Sequence, residues 1–333
     1  MSPAGRPSGY RAPRWLRNAH LQSVLGSSPL RRRMAGRALA ATGATTTVHL
    51  VDGGDGIRLQ GLFSTVPGRE PLGLALLLHG WEGSAESTYM RLSAARLLAR
   101  GFDVFRLNFR DHGDTHHLNA GIFHSCLIDE VVHAAGDIAR RFQPAPTAPL
   151  RVGGYSLGGN FALRLGLHAP AAGLAVARVA AVCPVLDPAA TMTAMERGFP
   201  LYAWYFRHKW RRSLRRKRAL FPQLLALDDR TLGLDLRPLT GWLVERHTAL
   251  GGLDAYFDGY SIAGARLAGL RMPADILTSA DDPVIPVAGF EALQLPPGAR
   301  LEVATHGGHC GFLLDGRLRG YAEHWLAATL AEG

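Results

Sequence analysis

Gly153-Gly154-Tyr155-Ser156-Leu157-Gly158-Gly159-Asn160 is the stretch from which the fold is read. Residues 150–155 before it form a short apolar run of strand type, and residues 157–168 after it place apolar side chains at helical spacing. A strand that becomes a helix within one residue forces that residue into a strained conformation. Side chains two positions either side would collide, so the glycines at 154 and 158 belong there. The turn exposes the Ser156 hydroxyl and puts a helix N-terminus behind it. A glycine-rich turn with an incidental serine is the plain alternative. The strand–turn–helix context favours a nucleophile.

Outward from this turn, strand and helix patterns alternate. Residues 45–51 and 57–63 read as two strands joined at Asp52-Gly53-Gly54-Asp55-Gly56. The apolar run 73–78 reads as a strand buried on both faces. A helix over 89–100 stops at Gly101, a strand covers 102–107, and a helix covers 125–142 with Asp129 and Glu130 near its positive end. A strand over 178–183 follows. The alternation resumes with strands at 273–279 and 300–305 and helices at 287–295 and 318–330. This predicts an α/β fold, a mostly parallel sheet with helices on both faces. Residues 1–44 show little periodicity and read as an N-terminal arm. Residues 45–186 and 269–333 form the core, and the aromatic, basic, proline-punctuated stretch 187–268 reads as a helical cap inserted at one end of the sheet.

Composition narrows the classes. The chain has 333 residues, 47% hydrophobic and 19% charged, which suits neither a disordered chain nor a membrane bundle. The first fifteen residues lack an apolar core of signal-peptide length, and no apolar run reaches the roughly 18 residues that span a bilayer. Three scattered cysteines, Cys126, Cys183 and Cys310, spell no disulfide framework and fit a reducing cytoplasmic setting. The net charge is +10, with Lys209 and Lys217 the only lysines, so 35 of the 37 basic residues are arginine. Eight of the basic residues fall within 207–218, and without that stretch the net charge is +2. One concentrated segment on a nearly balanced body argues against a nucleic-acid partner.

A serine hydroxyl needs an oriented base, and the base an acid. Both are expected downstream in the order Ser, Asp, His. Asp281 and Asp282 follow the strand 273–279, and Pro283-Val284-Ile285-Pro286 favours Asp282 as the acid. His306 and His309 follow the last strand, and the flanking glycines favour His309 as the base. All three positions lie at carboxyl ends of strands, where open parallel sheets bind ligands. The oxyanion of acyl chemistry needs donors. The N–H of Leu157, directly after the serine, and that of Trp81, in His79-Gly80-Trp81-Glu82-Gly83, are the candidates. Trp81 is also free to line an apolar pocket, or to pack as core.

Other clusters carry less. His112, His116, His117 and His124 with Asp111 and Asp114 fit no zinc spacing and read as a solvated or pocket-rim loop, so no metal is expected. Cys310 beside His309 reads as no nucleophile, because neighbours in an extended loop point apart. Tyr202, Phe206, Trp210 and Leu214 recur every fourth residue, with Arg207, Lys209, Arg211, Arg212 and Arg215 between them. That pattern describes a cap helix with solvated arginines. A peripheral membrane contact through 202–218 is the alternative.

Together these blocks resemble the α/β-hydrolase superfamily, and within it the YheT-like family of esterases. Arg17-Asn18-Ala19-His20-Leu21-Gln22-Ser23 is similar to that family's Asn-Pro-His-Leu-Gln-Thr, and His79-Gly80-Trp81-Glu82-Gly83-Ser84 to its His-Gly-Leu-Glu-Gly-Ser. Asn108-Phe109-Arg110, Phe161, Ala280-Asp281-Asp282-Pro283 and His306-Gly307-Gly308-His309 match as well. Departures are Ala19 for Pro, Asp111 for Gly and Cys126 for Gly. The resemblance implies a hydrolase of esters with short or medium acyl chains, with Ser156 as nucleophile, Asp282 as acid, His309 as base and no cofactor. Its eukaryotic relatives include lipid esterases and enzymes that make ethyl esters from acyl thioesters. Acyl transfer to an alcohol by the same triad, and a non-catalytic membrane-surface protein, are the other readings. The oligomeric state is not legible.

Overall fold

The computed structural model describes residues 5–145, 147–148, 150–223 and 227–332. Residues 1–4 of the expected arm and 224–226 of the expected cap lie outside the described residues. The strands are β1 Arg6–Pro7, β2 Thr45–Asp52, β3 Arg58–Thr65, β4 Gly73–Leu78, β5 Phe102–Asn108, β6 Leu150–Tyr155, β7 Val176–Val182, β8 Ala274–Ser279 and β9 Ala299–Ala304. They form one sheet in the order β1-β9-β8-β7-β6-β4-β5-β3-β2. β3 pairs antiparallel with β2 and β5, and the other neighbours pair parallel.

The helices are α1 Ala19–Gly26, α2 Pro29–Ala40, α3 Thr88–Ala99, α4 Ile128–Phe142, α5 Leu157–His168, α6 Pro188–Arg197, α7 Pro200–Leu220, α8 Asp229–Leu232, α9 Leu236–His247, α10 Leu253–Tyr260, α11 Ala288–Glu291 and α12 Tyr321–Ala331. β4 shows why the sheet is covered twice. Leu74, Leu76 and Leu78 join a core with α4 and α5, while Ala75 and Leu77 join one with α3 and α12. A strand with period-two side chains and no polar face needs helices on both sides. The α/β architecture expected from the alternation is the one found.

Two segments differ from the sequence expectation. The arm carries two helices, α1 with Asn18 as N-cap and α2 with Ser28 as N-cap and Pro29 in its first turn. Their anchors are polar, so no apolar stripe announces them. Arg31, fully buried, meets Glu323 of α12 at 2.7 Å and donates to the carbonyls of Gly26 and Leu318. The helix expected over 287–295 is one turn, α11, ahead of Pro296 and Pro297. A residue before proline is pushed out of the helical region.

Between β7 and β8 the chain forms α6 to α10. In α7 the stripe faces inward, with Tyr202, Trp210 and Leu214 buried and Phe206 half-buried. No helix among the described residues is long and apolar enough to cross a membrane.

Candidate active site

Ser156 sits between β6 and α5 with φ 54° and ψ −120°. That strained, left-handed geometry is held by bonds on both sides: Ser156 N–H donates to Val182 O at 2.8 Å, and Asn160 N–H donates to Ser156 O at 3.1 Å. A side chain at 154 would fall on the Gly158 carbonyl, and one at 158 on the carbonyls of Leu78 and His79. The two glycines are thus required by the backbone approach itself.

His309 and Asp282 arrive from the ends of β9 and β8. The Ser156 hydroxyl lies 2.9 Å from His309 Nε2, and His309 Nδ1 lies 2.9 Å from Asp282 Oδ2. The Asp282 side chain is fully buried. Its second oxygen accepts the N–H groups of Val284 and Ile285 at 2.8 and 2.9 Å, which makes use of the Pro283-Val284-Ile285-Pro286 turn. The other candidates form a pair of their own. Asp281 Oδ1 accepts Gly308 N–H at 2.9 Å and Oδ2 stands 3.4 Å from His306 Nδ1, so this pair shapes the loop that carries His309. Burial pulls the His309 imidazole down in pKa, but the Asp282 carboxylate and the Cys310 sulfur outweigh it and hold it well above its ordinary value.

The loop 79–83 closes the site. Gly80 lies directly against Ser156, and Trp81 and Leu157 both line the pocket beside it. Neither the Trp81 nor the Leu157 N–H is donated to another backbone carbonyl among the described residues. The Trp81 ring stacks on Phe206 at 5.2 Å and meets Trp210 edge-on at 5.5 Å. Lys209 Nζ donates to Glu82 O at 2.5 Å, tying α7 to the same loop. The pocket walls come from α6, α7, α9 and α10, with Met192, Met195, Phe206, Trp210, Leu243 and Tyr256 among them. It is an apolar cleft with Ser156 in its wall, the usual form of a small-molecule site.

The histidine-rich loop is in part solvated, with Asp114 and His117 exposed, and in part packed against α7 and the pocket. His112 and His116 are buried and bonded to separate partners, Arg110 O and Ser213 Oγ, both at 2.8 Å. His124 lines the pocket. Burial pushes both His116 and His124 down to about 4. Asp111, at the family's glycine position, has φ 60°. Its Oδ1 accepts from Lys217 Nζ at 2.6 Å and its Oδ2 from Phe123 N–H at 3.0 Å.

The basic stretch keeps Arg212, Arg215 and Arg216 exposed, yet most of its charged groups find partners within the chain. Arg207 pairs with Asp235, Arg216 with Asp114, Lys217 with Asp111 and Arg218 with Asp229. Arg211 donates to Gly233 O and Leu234 O, and Lys209 to Glu82 O.

Two neighbours of the site carry no periodicity that marks them. Ser23 of α1 accepts His309 N–H at 2.8 Å and donates to Ala19 O at 2.8 Å. Gln22, fully buried, accepts Leu313 N–H at 2.7 Å and donates to Tyr10 Oη and Leu16 O. The arm therefore braces the loop that carries the imidazole. The only signal for Ser23 and Gln22 was the block 17–23, which named the residues without a task.

A family model described as alpha/beta hydrolase fold matches residues 75–316. Over 266 residues the chain is 27% identical to the Escherichia coli (strain K12) protein named "Putative esterase YheT", covering 77% of this chain and 75% of that one. This is the likeness the motif blocks led one to expect. An esterase of Pyrococcus furiosus superposes with a TM-score of 0.57 at 15% identity, covering 87% of this chain and 90% of that one. The 2,6-dihydroxy-pseudo-oxynicotine hydrolase superposes with a TM-score of 0.59 at 17% identity, covering 90% of this chain and 72% of that one. At such identities the superpositions speak for the fold alone.

Proposed function

The chain belongs to the alpha/beta hydrolase fold family and is related to esterases, and on that premise we propose that it cleaves carboxylic esters of short or medium acyl chains through an acyl-enzyme on Ser156. His309 Nε2 takes the Ser156 proton as the hydroxyl oxygen attacks the ester carbonyl. Asp282 holds the tautomer with the proton on Nδ1 and stabilises the imidazolium that forms. The N–H groups of Trp81 and Leu157 hold the developing oxyanion. The imidazolium gives its proton to the leaving alkoxide. Water, deprotonated by His309, then releases the acid. Each step uses the chain's own groups and water, with no cofactor or metal.

One observation carries this reading: a strained serine in hydrogen-bonded series with a histidine and a fully buried aspartate, 2.9 Å at each link. The apolar walls around Ser156 fit an acyl chain better than a charged substrate. Residues 187–268 act as the cap that supplies most of those walls. With six of the eight basic residues of 207–218 occupied inside the chain, the cap role needs no membrane contact. The three free cysteines suit a reducing compartment, the cytoplasm.

The test is hydrolysis of p-nitrophenyl esters of graded chain length, with fluorophosphonate labelling, by the wild type and Ser156→Ala. Turnover should fall by about a thousandfold or more and labelling should vanish in the variant. Labelling that survives in Ser156→Ala would sink the proposal. Added alcohol that diverts the product to a new ester would instead assign acyl transfer by the same triad.

A further inference from the structure

Behind the imidazole lie two thiols that the proposed mechanism does not use. Cys183 follows β7 and is fully buried; Cys310 follows His309 and is partly exposed. Both take left-handed backbone conformations, φ 44° and 58°. The turn at Cys310 undoes the expectation that neighbouring side chains point apart. The sulfur atoms of Cys183 and Cys310 and a ring nitrogen of His309 all lie within 4.8 Å of one another.

We propose that Cys183, Cys310 and His309 form a site for a thiophilic divalent cation, with Zn²⁺ as the type, and that filling it switches the enzyme off. Zinc takes thiolate sulfur at about 2.3 Å and imidazole nitrogen at about 2.0–2.1 Å, so tetrahedral donors stand roughly 3.5 Å apart. The three atoms need to close by only about an ångström. Two sulfurs and one nitrogen are a donor set that selects soft and borderline ions over Mg²⁺ or Ca²⁺. The fourth position is left for water. Binding requires both sulfurs as thiolates and the ligating nitrogen of His309 unprotonated, so it releases whichever protons these three groups hold, and the two thiolates balance the charge of the ion.

The switch follows from the nitrogen count. Nδ1 of His309 faces Asp282 and Nε2 faces Ser156. An ion on Nε2 takes the lone pair that removes the serine proton. An ion on Nδ1 displaces the bond that sets the tautomer. Either way the base is lost while the fold is kept.

Inhibition rests on the hydrolase reading; binding does not. The experiment therefore has two readouts on the full chain, kept reduced with a phosphine. Co²⁺ titration followed in the near ultraviolet should give a thiolate-to-metal band saturating at one ion per chain. Cys183→Ala and Cys310→Ser should each weaken it, and the double variant should abolish it. In the ester assay Zn²⁺ should inhibit the wild type reversibly, with recovery on adding EDTA. The double variant should need at least tenfold more Zn²⁺ for half inhibition of its own activity. No thiolate band, or a band that survives in the double variant, overturns the site. A band without inhibition, or inhibition equal in wild type and double variant, overturns the switch. If the metal-free enzyme hydrolyses no ester, the hydrolase reading fails while the Co²⁺ band still decides the site.

Discussion

Replacing Ser23 by alanine removes one hydroxyl from α1 and nothing from the pocket, yet it should slow turnover. The hydroxyl is the acceptor for His309 N–H at 2.8 Å and is itself anchored on Ala19 O at 2.8 Å. Without it a part-buried amide loses its partner, a penalty of about 1–3 kcal/mol. The native loop conformation carries that penalty, so the loop relaxes and the imidazole drifts from the 2.9 Å it keeps to Ser156. If the whole penalty falls on the productive geometry, turnover drops about five- to 150-fold, at about 1.36 kcal/mol per tenfold. Part of it will appear as lost stability, so a loss of about tenfold is expected. The assay is kcat and KM on one p-nitrophenyl ester, with a thermal melt on the same sample. Because Ser23 does not line the pocket, KM should stay within about twofold while kcat falls. Ser23→Thr keeps the hydroxyl, and the block resembling this one ends in Thr, so that variant should restore most of kcat. A folded Ser23→Ala enzyme with kcat within twofold of wild type would refute the reasoning, as would an equal loss in Ser23→Thr.

Two further outcomes follow from the charges around the site. Lys217→Met strands the buried Asp111 carboxylate, which should cost about 3–5 kcal/mol in urea unfolding. Burial already raises the Asp111 carboxyl, so the deficit should shrink as the pH falls and the folded state takes up the proton. Adding Asp111→Gly removes the stranded charge and suits φ 60°, so the double variant should regain most of the loss; a double variant as weak as Lys217→Met would count against the ion pair. The second outcome concerns pH. In the proposed mechanism His309 acts only when unprotonated, and the Asp282 carboxylate is the leading influence raising it above its ordinary value. The acid limb of kcat/KM should therefore lie above about 6.5 and move down in Asp282→Asn as the maximum falls, whereas a limb that stays in place would detach Asp282 from the base.

What the sequence by itself determined was what is local or ordered along the chain. The strand run 73–78, the alternation around it and the eight residues of the turn at Ser156 each carry their own steric reason within a few positions, because period-two patterning and glycine at a tight turn depend on neighbours alone. Only the tertiary structure decided what far-separated polar groups face. Ser23 reaches His309 across 286 positions and Lys217 reaches Asp111 across 106, and neither pairing leaves a periodic trace. In the run 207–218 Arg212, Arg215 and Arg216 face solvent as a basic face should, but charge in a sequence has a sign and no direction, so nothing there singles out the residue that turns inward. Folding turned Lys217 inward, tied Lys209 to Glu82 O, and set Cys183 beside Cys310 and the imidazole. A hydrogen bond or ion pair is specified by approach and angle within about 3 Å, and the packing of strands and helices sets that approach.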